Sequence, residues 1–193
     1  MKALMLGIAA AAAMLPGTAF AQAASDTSTG QVVVNGNVAR LCILGTPSRA
    51  TVDLGQMAAT SGTRVGRIAA LGEQSVTLPG SFCNFAGSAL TVTVTALVST
   101  DASAVQPGFA KAVNYTATAS NWAITSTAAT SAATASGATP TATSTGATQP
   151  APKTADVNVT LSGFTAPSDA LLTAGTYNGL VVVTLGPAVS GGL

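Results

Sequence analysis

The chain has 193 residues, 48% hydrophobic, 7% charged and 4% aromatic; it has no histidine, and 7 Lys and Arg against 6 Asp and Glu give a formal net charge of +1. So few, scattered cations form no basic patch for nucleic acid, and imidazole catalysis and imidazole metal ligation are excluded outright. With a mean hydropathy of +0.50, the composition is that of an Ala- and Thr-rich globular chain of about one domain, not of a charge-solvated disordered one.

Residues 1–21 read as a secretory signal peptide. Lys2 is the positive start, residues 3–15 are an unbroken apolar run, and Pro16 and Gly17 break it. Ala19-Phe20-Ala21 offers small residues around a cleavage point, with a second candidate after Ala23. The run is shorter than the roughly 20 residues a membrane helix needs, and no later stretch is long and apolar enough to span. The mature chain is therefore expected to be exported, with no membrane span and a net charge near zero, so long-range electrostatics steer it to no partner.

The polar stretch 24–29 leads into Gly30-Gln31-Val32-Val33-Val34-Asn35-Gly36-Asn37-Val38. This is a strand pattern with Gly30, Val32, Val34, Gly36 and Val38 on one face, apolar and notched by glycine. Such a strand has two fates: it pairs within its own sheet, or it adds to the sheet of another molecule. Next come the only two cysteines, Cys42 and Cys83. In an oxidising compartment they are expected to form a disulfide, the alternative being two buried thiols. Closing that loop is worth about 3–4 kcal/mol in chain entropy.

Further strands are expected at residues 50–54, 75–78, 90–96, 112–117, 157–161 and 177–185. The clearest is Leu90-Thr91-Val92-Thr93-Val94-Thr95-Ala96, whose apolar set faces a core while its threonines face out. Residues 56–71 have room for a short helical turn. Leu78-Pro79-Gly80-Ser81 and Gln106-Pro107-Gly108 read as turns. From 125 to 155 the chain is almost wholly Ala, Ser, Thr, Gly and Pro, with no large apolar side chain. The leading reading is a long flexible surface excursion; a variable or O-glycosylated face and weak Thr-rich strand pairing are the other two. Many short strands without a strong helix predict an all-β, antiparallel β-sandwich.

The segment 30–38, followed by Cys42, resembles the N-terminal extension of chaperone–usher pilus subunits. Thr51-Val52-Asp53-Leu54-Gly55-Gln56 is similar to the strand after the first cysteine in type 1-like pilins. Cys83 falls at the separation their disulfide uses. Ala174-Gly175-Thr176-Tyr177-Asn178-Gly179, with the valine-rich strand after it, resembles the closing strand of fimbrial subunits, including the alternate and spore-coat-U-like branches. The chain then continues past Leu185 into a tail, where type 1-like pilins usually end. The resemblance implies a signal peptide at 1–21, a donor-strand extension at 22–41 and a pilin-like domain at 42–193. It implies an immunoglobulin-like sandwich that is incomplete and completed by a donor strand. Val32, Val34 and Val38 would fill pockets of a neighbouring subunit, and Gly36 would sit where its groove is shallow. The implied partners are neighbouring pilus subunits, a periplasmic chaperone and an outer-membrane usher, on a route through the periplasm to the cell surface, with adhesion or biofilm formation as the use.

The alternative is a secreted, monomeric β-sandwich binding module for a glycan or surface. It would need an aromatic platform, and Trp122, Tyr115 and Tyr177 read instead as packing residues. An enzyme is not expected: Asp26, Asp53, Glu73, Asp101, Asp156 and Asp169 form no catalytic motif, and the hydroxyls have no histidine base. No cofactor, metal site or catalytic residue is assigned. Arg40, Arg49, Arg64 and Arg67 are expected on a solvated face or paired with Asp53 and Glu73.

Overall fold

The computed structural model describes residue 27 and residues 29–188. The signal-peptide reading lies outside the described residues. Two units meet at Asn37 and Val38. In the first, residues 29–37 take no regular secondary structure and are exposed.

The second unit is all-β. Its strands are β1 (Cys42–Ile43), β2 (Gln74–Cys83), β3 (Ser88–Ser99), β4 (Phe109–Ala110), β5 (Ala112–Ser120), β6 (Thr127–Thr130), β7 (Ala142–Thr145), β8 (Lys153–Thr165), β9 (Leu171–Leu172) and β10 (Tyr177–Pro187). The main sheet runs β1-β2-β8-β5-β3-β10, with β6 on β5 and β7 on β3, every pairing antiparallel. A small parallel pair, β4 and β9, lies apart. This is the expected antiparallel class, consistent with a β-sandwich. The helical turn expected within 56–71 is the 3-10 turn Gly62–Arg64.

β5 lets one sheet enclose a core. Its first residues, Ala112 and Val113, pair with Val98 and Leu97 of β3, while Asn114–Ser120 runs along β8. The register shifts between Asn114 and Thr116, a bulge of the kind that bends a strand and increases its twist. The two halves of the sheet then face each other across Leu78, Val92, Val94, Tyr115, Val157 and Val159. The alternation in β3 is as expected: Leu90, Val92, Val94 and Ala96 are all buried. Across the sheet, Thr91 and Thr93 share hydroxyl hydrogen bonds of 3.0 Å with Thr145 and Thr143.

Three expectations need correction. Residues 50–54 form no strand; they run beside the sheet as a wall. Leu78-Pro79-Gly80-Ser81 is no turn: β2 continues through it, with the register shifted between Leu78 and Ser81 and Gly80 at φ 64°. A bulge uses the same proline and left-handed glycine as a turn, so local chemistry alone does not separate them. The low-complexity stretch is no flexible excursion. It supplies β6 and β7, and burial alternates along it: Thr127, Ala129, Ser131 and Ala133 point inward. Small side chains permit close approach; a Cβ on Gly146 would overlap the Thr127 hydroxyl. Strand pairing, the least favoured of its three readings, is the one observed. Backbone hydrogen bonds and close contact with a neighbouring layer replace the bulk that the composition lacks.

Candidate functional site

Among the described residues β10 ends the strand order and pairs on one side only, with β3. Val181, Val183 and Leu185 pack against the core, whereas Leu180 and Val182 are exposed. Opposite the open edge stands the wall at residues 47–54. The Cys42–Cys83 disulfide anchors the start of this segment to β2. The Gly45 amide donates to Ser81 Oγ at 3.0 Å, and the Ser48 amide to the Thr77 carbonyl at 2.8 Å. Arg49 donates from Nη2 to the Ser75 carbonyl at 2.8 Å and to Gln74 Oε1 at 3.2 Å.

Between wall and edge lies a groove of about 570 Å³. Val76, Leu78, Val159, Leu161, Tyr115 and Phe164 line its apolar interior. A second hollow of about 610 Å³, bounded by residues 52–58 and 172–177, shares Val52, Asp53, Leu54, Leu97, Thr176 and Tyr177 with it, so the two make one elongated cleft. Its polar points are few. Tyr115 stacks on Phe164 at 5.9 Å and donates its hydroxyl to the Leu180 carbonyl at 3.3 Å. Burial pushes that phenol up to about 12. Tyr177 donates to the Thr173 carbonyl at 2.8 Å, and burial raises its pKa also. Asp53 accepts from the Gly55 amide at 2.8 Å. Among the described residues no group of acids and cysteines is placed to hold a metal ion. An apolar cleft beside an unpaired strand edge is chemically suited to an extended peptide: backbone groups meet the edge and side chains fill the hollow.

The residues assigned to the donor strand are exposed: Val32 85%, Val34 88% and Val38 85%. Apart from Gly36 and its two chain neighbours, no atom of the described residues lies within 4 Å of where a Cβ on Gly36 would stand, and Gly36 is not among the residues with positive φ. Among the described residues neither packing nor a positive φ calls for glycine there.

Trp122 is a core residue, 1% exposed, donating its indole N–H to Ser88 Oγ at 3.2 Å; it offers no sugar platform. Arg40, Arg49 and Arg64 lie exposed, as a solvated face requires, and among the described residues the arginines do not pair with Asp53 or Glu73. Arg64 meets Asp169 at 2.6 Å, Arg67 reaches the Asp169 carboxylate and carbonyl, and Arg40 lies 4.9 Å over the Phe85 ring. The Arg64 hydrogen bond is the main reason the Asp169 carboxyl is held below its ordinary pKa. Reading the residues alone missed the wall and the floor of the groove. A signal within the sequence was Leu180 to Leu185, apolar on both faces.

Compared with known proteins, the chain matches no family model, no curated sequence and no solved structure.

Proposed function

We propose that this chain is a structural subunit of a surface filament of the chaperone–usher kind. Its sandwich is immunoglobulin-like and one strand short, and residues 27–38 of one copy fill the groove of the next. The observation that carries this reading is the groove itself, bounded by the unpaired edge of β10. The exposed valines at 32, 34 and 38 supply what it lacks, each worth about 1.5–3 kcal/mol if fully buried. Gly36 passes where the groove is shallow, which accounts for a glycine that the described residues around it do not require. A donor on one copy and an acceptor on another make a head-to-tail contact that need not close, so it builds a filament. Before assembly, the open edge calls for a periplasmic chaperone strand, and export to the cell surface proceeds through an outer-membrane usher.

The test uses the mature chain carrying Gly36→Arg, so that its own extension no longer fits, and a synthetic peptide of residues 27–38. The peptide should raise the melting temperature by several degrees, and a peptide with the same Gly36→Arg change should not. A chain that melts high and ignores the peptide would sink the proposal and favour a self-contained binding module.

A further inference from the structure

The outward side of the sheet formed by β7, β3 and β10 carries no charge. No charged residue occurs between Glu73 and Asp101, between Lys111 and Lys153, or after Asp169. The pairing register sets two rows across this face, Thr145–Thr91–Thr184 and Thr143–Thr93–Val182, with Thr95 and Leu180 continuing it. Thr143, Thr145 and Thr184 are exposed, as are Leu180 at 60% and Val182 at 44%. Soluble surfaces ordinarily carry charge on about a quarter to a third of their residues. Here hydroxyls and methyl groups stand in register without a cation or a carboxylate among them.

We infer that this face is a second self-association surface, packing copies of the chain side by side. The inference rests on the filament reading. In a filament every neighbour is another copy, and an uncharged face desolvates at least cost against another uncharged face. The face is also continuous with the groove: β10 turns Val181 and Val183 inward and Val182 and Thr184 outward. Its size sets its strength. β10 has 11 residues and β7 has 4; at about 3.3 Å per residue and 4.8 Å between strands, the three strands present about 400 Å². A stable pair buries about 800 Å² per partner. The contact is therefore weak between single copies and becomes effective when a filament repeats it many times.

The experiment compares the full-length mature chain with Val182→Lys/Thr184→Lys, and with Val182→Ser as an uncharged control. Filaments are counted by electron microscopy and their bundling measured by low-speed pelleting. The lysine variant should still form filaments, but pellet about tenfold less or lower, with recovery at high salt as like charges are screened. Wild-type filaments that run singly, or a lysine variant that bundles like wild type, would overturn the inference. If no chain forms filaments, the filament reading fails separately. The face is then judged by sedimentation of the full-length chains: wild-type association lost in the lysine variant supports it, and monomer throughout rejects it. A covalent glycan found on Thr143 or Thr145 by mass spectrometry also rejects it. Should the lysine variant melt markedly below wild type, Val182→Ser alone decides, with bundling expected to fall in part and unchanged bundling counting against the face.

Discussion

The hydroxyl of Tyr115 donates to the carbonyl of Leu180 at 3.3 Å, tying the middle of the sheet to the strand that borders the groove. Leu180 follows the register shift in β10, and its amide goes to Thr95 Oγ1 at 3.1 Å, a side chain taking the place of a ladder partner. Two side chains thus satisfy the backbone where the ladder breaks.

Tyr115 makes stability sensitive to alkali. Its folded pKa, about 12, lies above the ordinary 10. Below pH 10 both folded and unfolded states hold the proton, and the contribution is fully present. Between pH 10 and about 12 the unfolded chain loses its proton first, so stability falls as pH rises. Tyrosinate absorbance should show both phenols titrating above their ordinary pKa, and Tyr115→Phe should remove the component near 12. The variant should also lose about 0.5–1.5 kcal/mol of stability at neutral pH, the worth of one hydrogen bond.

Replacing both cysteines, Cys42→Ala with Cys83→Ala, should cost about 2–5 kcal/mol. At about 2–4 °C per kcal/mol for a domain of this size, the melting temperature should fall by about 4–20 °C. The disulfide joins β1 to β2 just ahead of the groove wall. Affinity for the 27–38 peptide should therefore fall as well, measured below the new melting temperature. Unchanged affinity would mean that Ser48 and Arg49 hold the wall by themselves.

Much of the strand content was legible in the residues because contrast made it so. Leu90 to Ala96 alternates apolar with threonine, and Val157, Val159 and Leu161 alternate with polar neighbours. Each set lies where a period of two requires. The same rule was silent from 125 to 155, where alanine alternates with threonine and serine and the two faces barely differ in hydropathy. The groove was illegible for another reason: an unpaired edge is a property of topology, and no local pattern in Tyr177–Pro187 says which side of the strand is left open. The wall reads as a strand in Ala50-Thr51-Val52-Asp53-Leu54, yet it is held at Ser48 and Arg49 and runs beside the sheet without joining a ladder.

Ser88 and Trp122 provide a test of core polarity. The indole N–H is buried and donates to the Ser88 hydroxyl, itself fully buried. Lys153 donates to the Trp122 carbonyl at 2.6 Å and lies 5.9 Å from the indole ring. Ser88→Ala should leave the indole N–H without its acceptor and cost about 1–3 kcal/mol in denaturant unfolding. A loss below about 0.5 kcal/mol would mean that water replaces the hydroxyl.

The packing of the low-complexity stretch is open to a paired substitution. Ala129 in β6 is 4% exposed and belongs to the main core, whereas its neighbour Ala128 points outward. Ala129→Leu forces a larger side chain into a close-packed layer and should cost about 1–3 kcal/mol. Ala128→Leu should change stability by less than about 0.5 kcal/mol. The two changes have the same chemistry and differ only in the face that receives them. In a flexible excursion both would be silent, because neither site would have fixed neighbours to displace. A clear difference in unfolding midpoint, larger for Ala129, is what a period-two strand of small residues demands. It would also show that threonine and alanine hold β6 in register through close approach and backbone pairing, without the bulky side chains by which a core strand is ordinarily recognised.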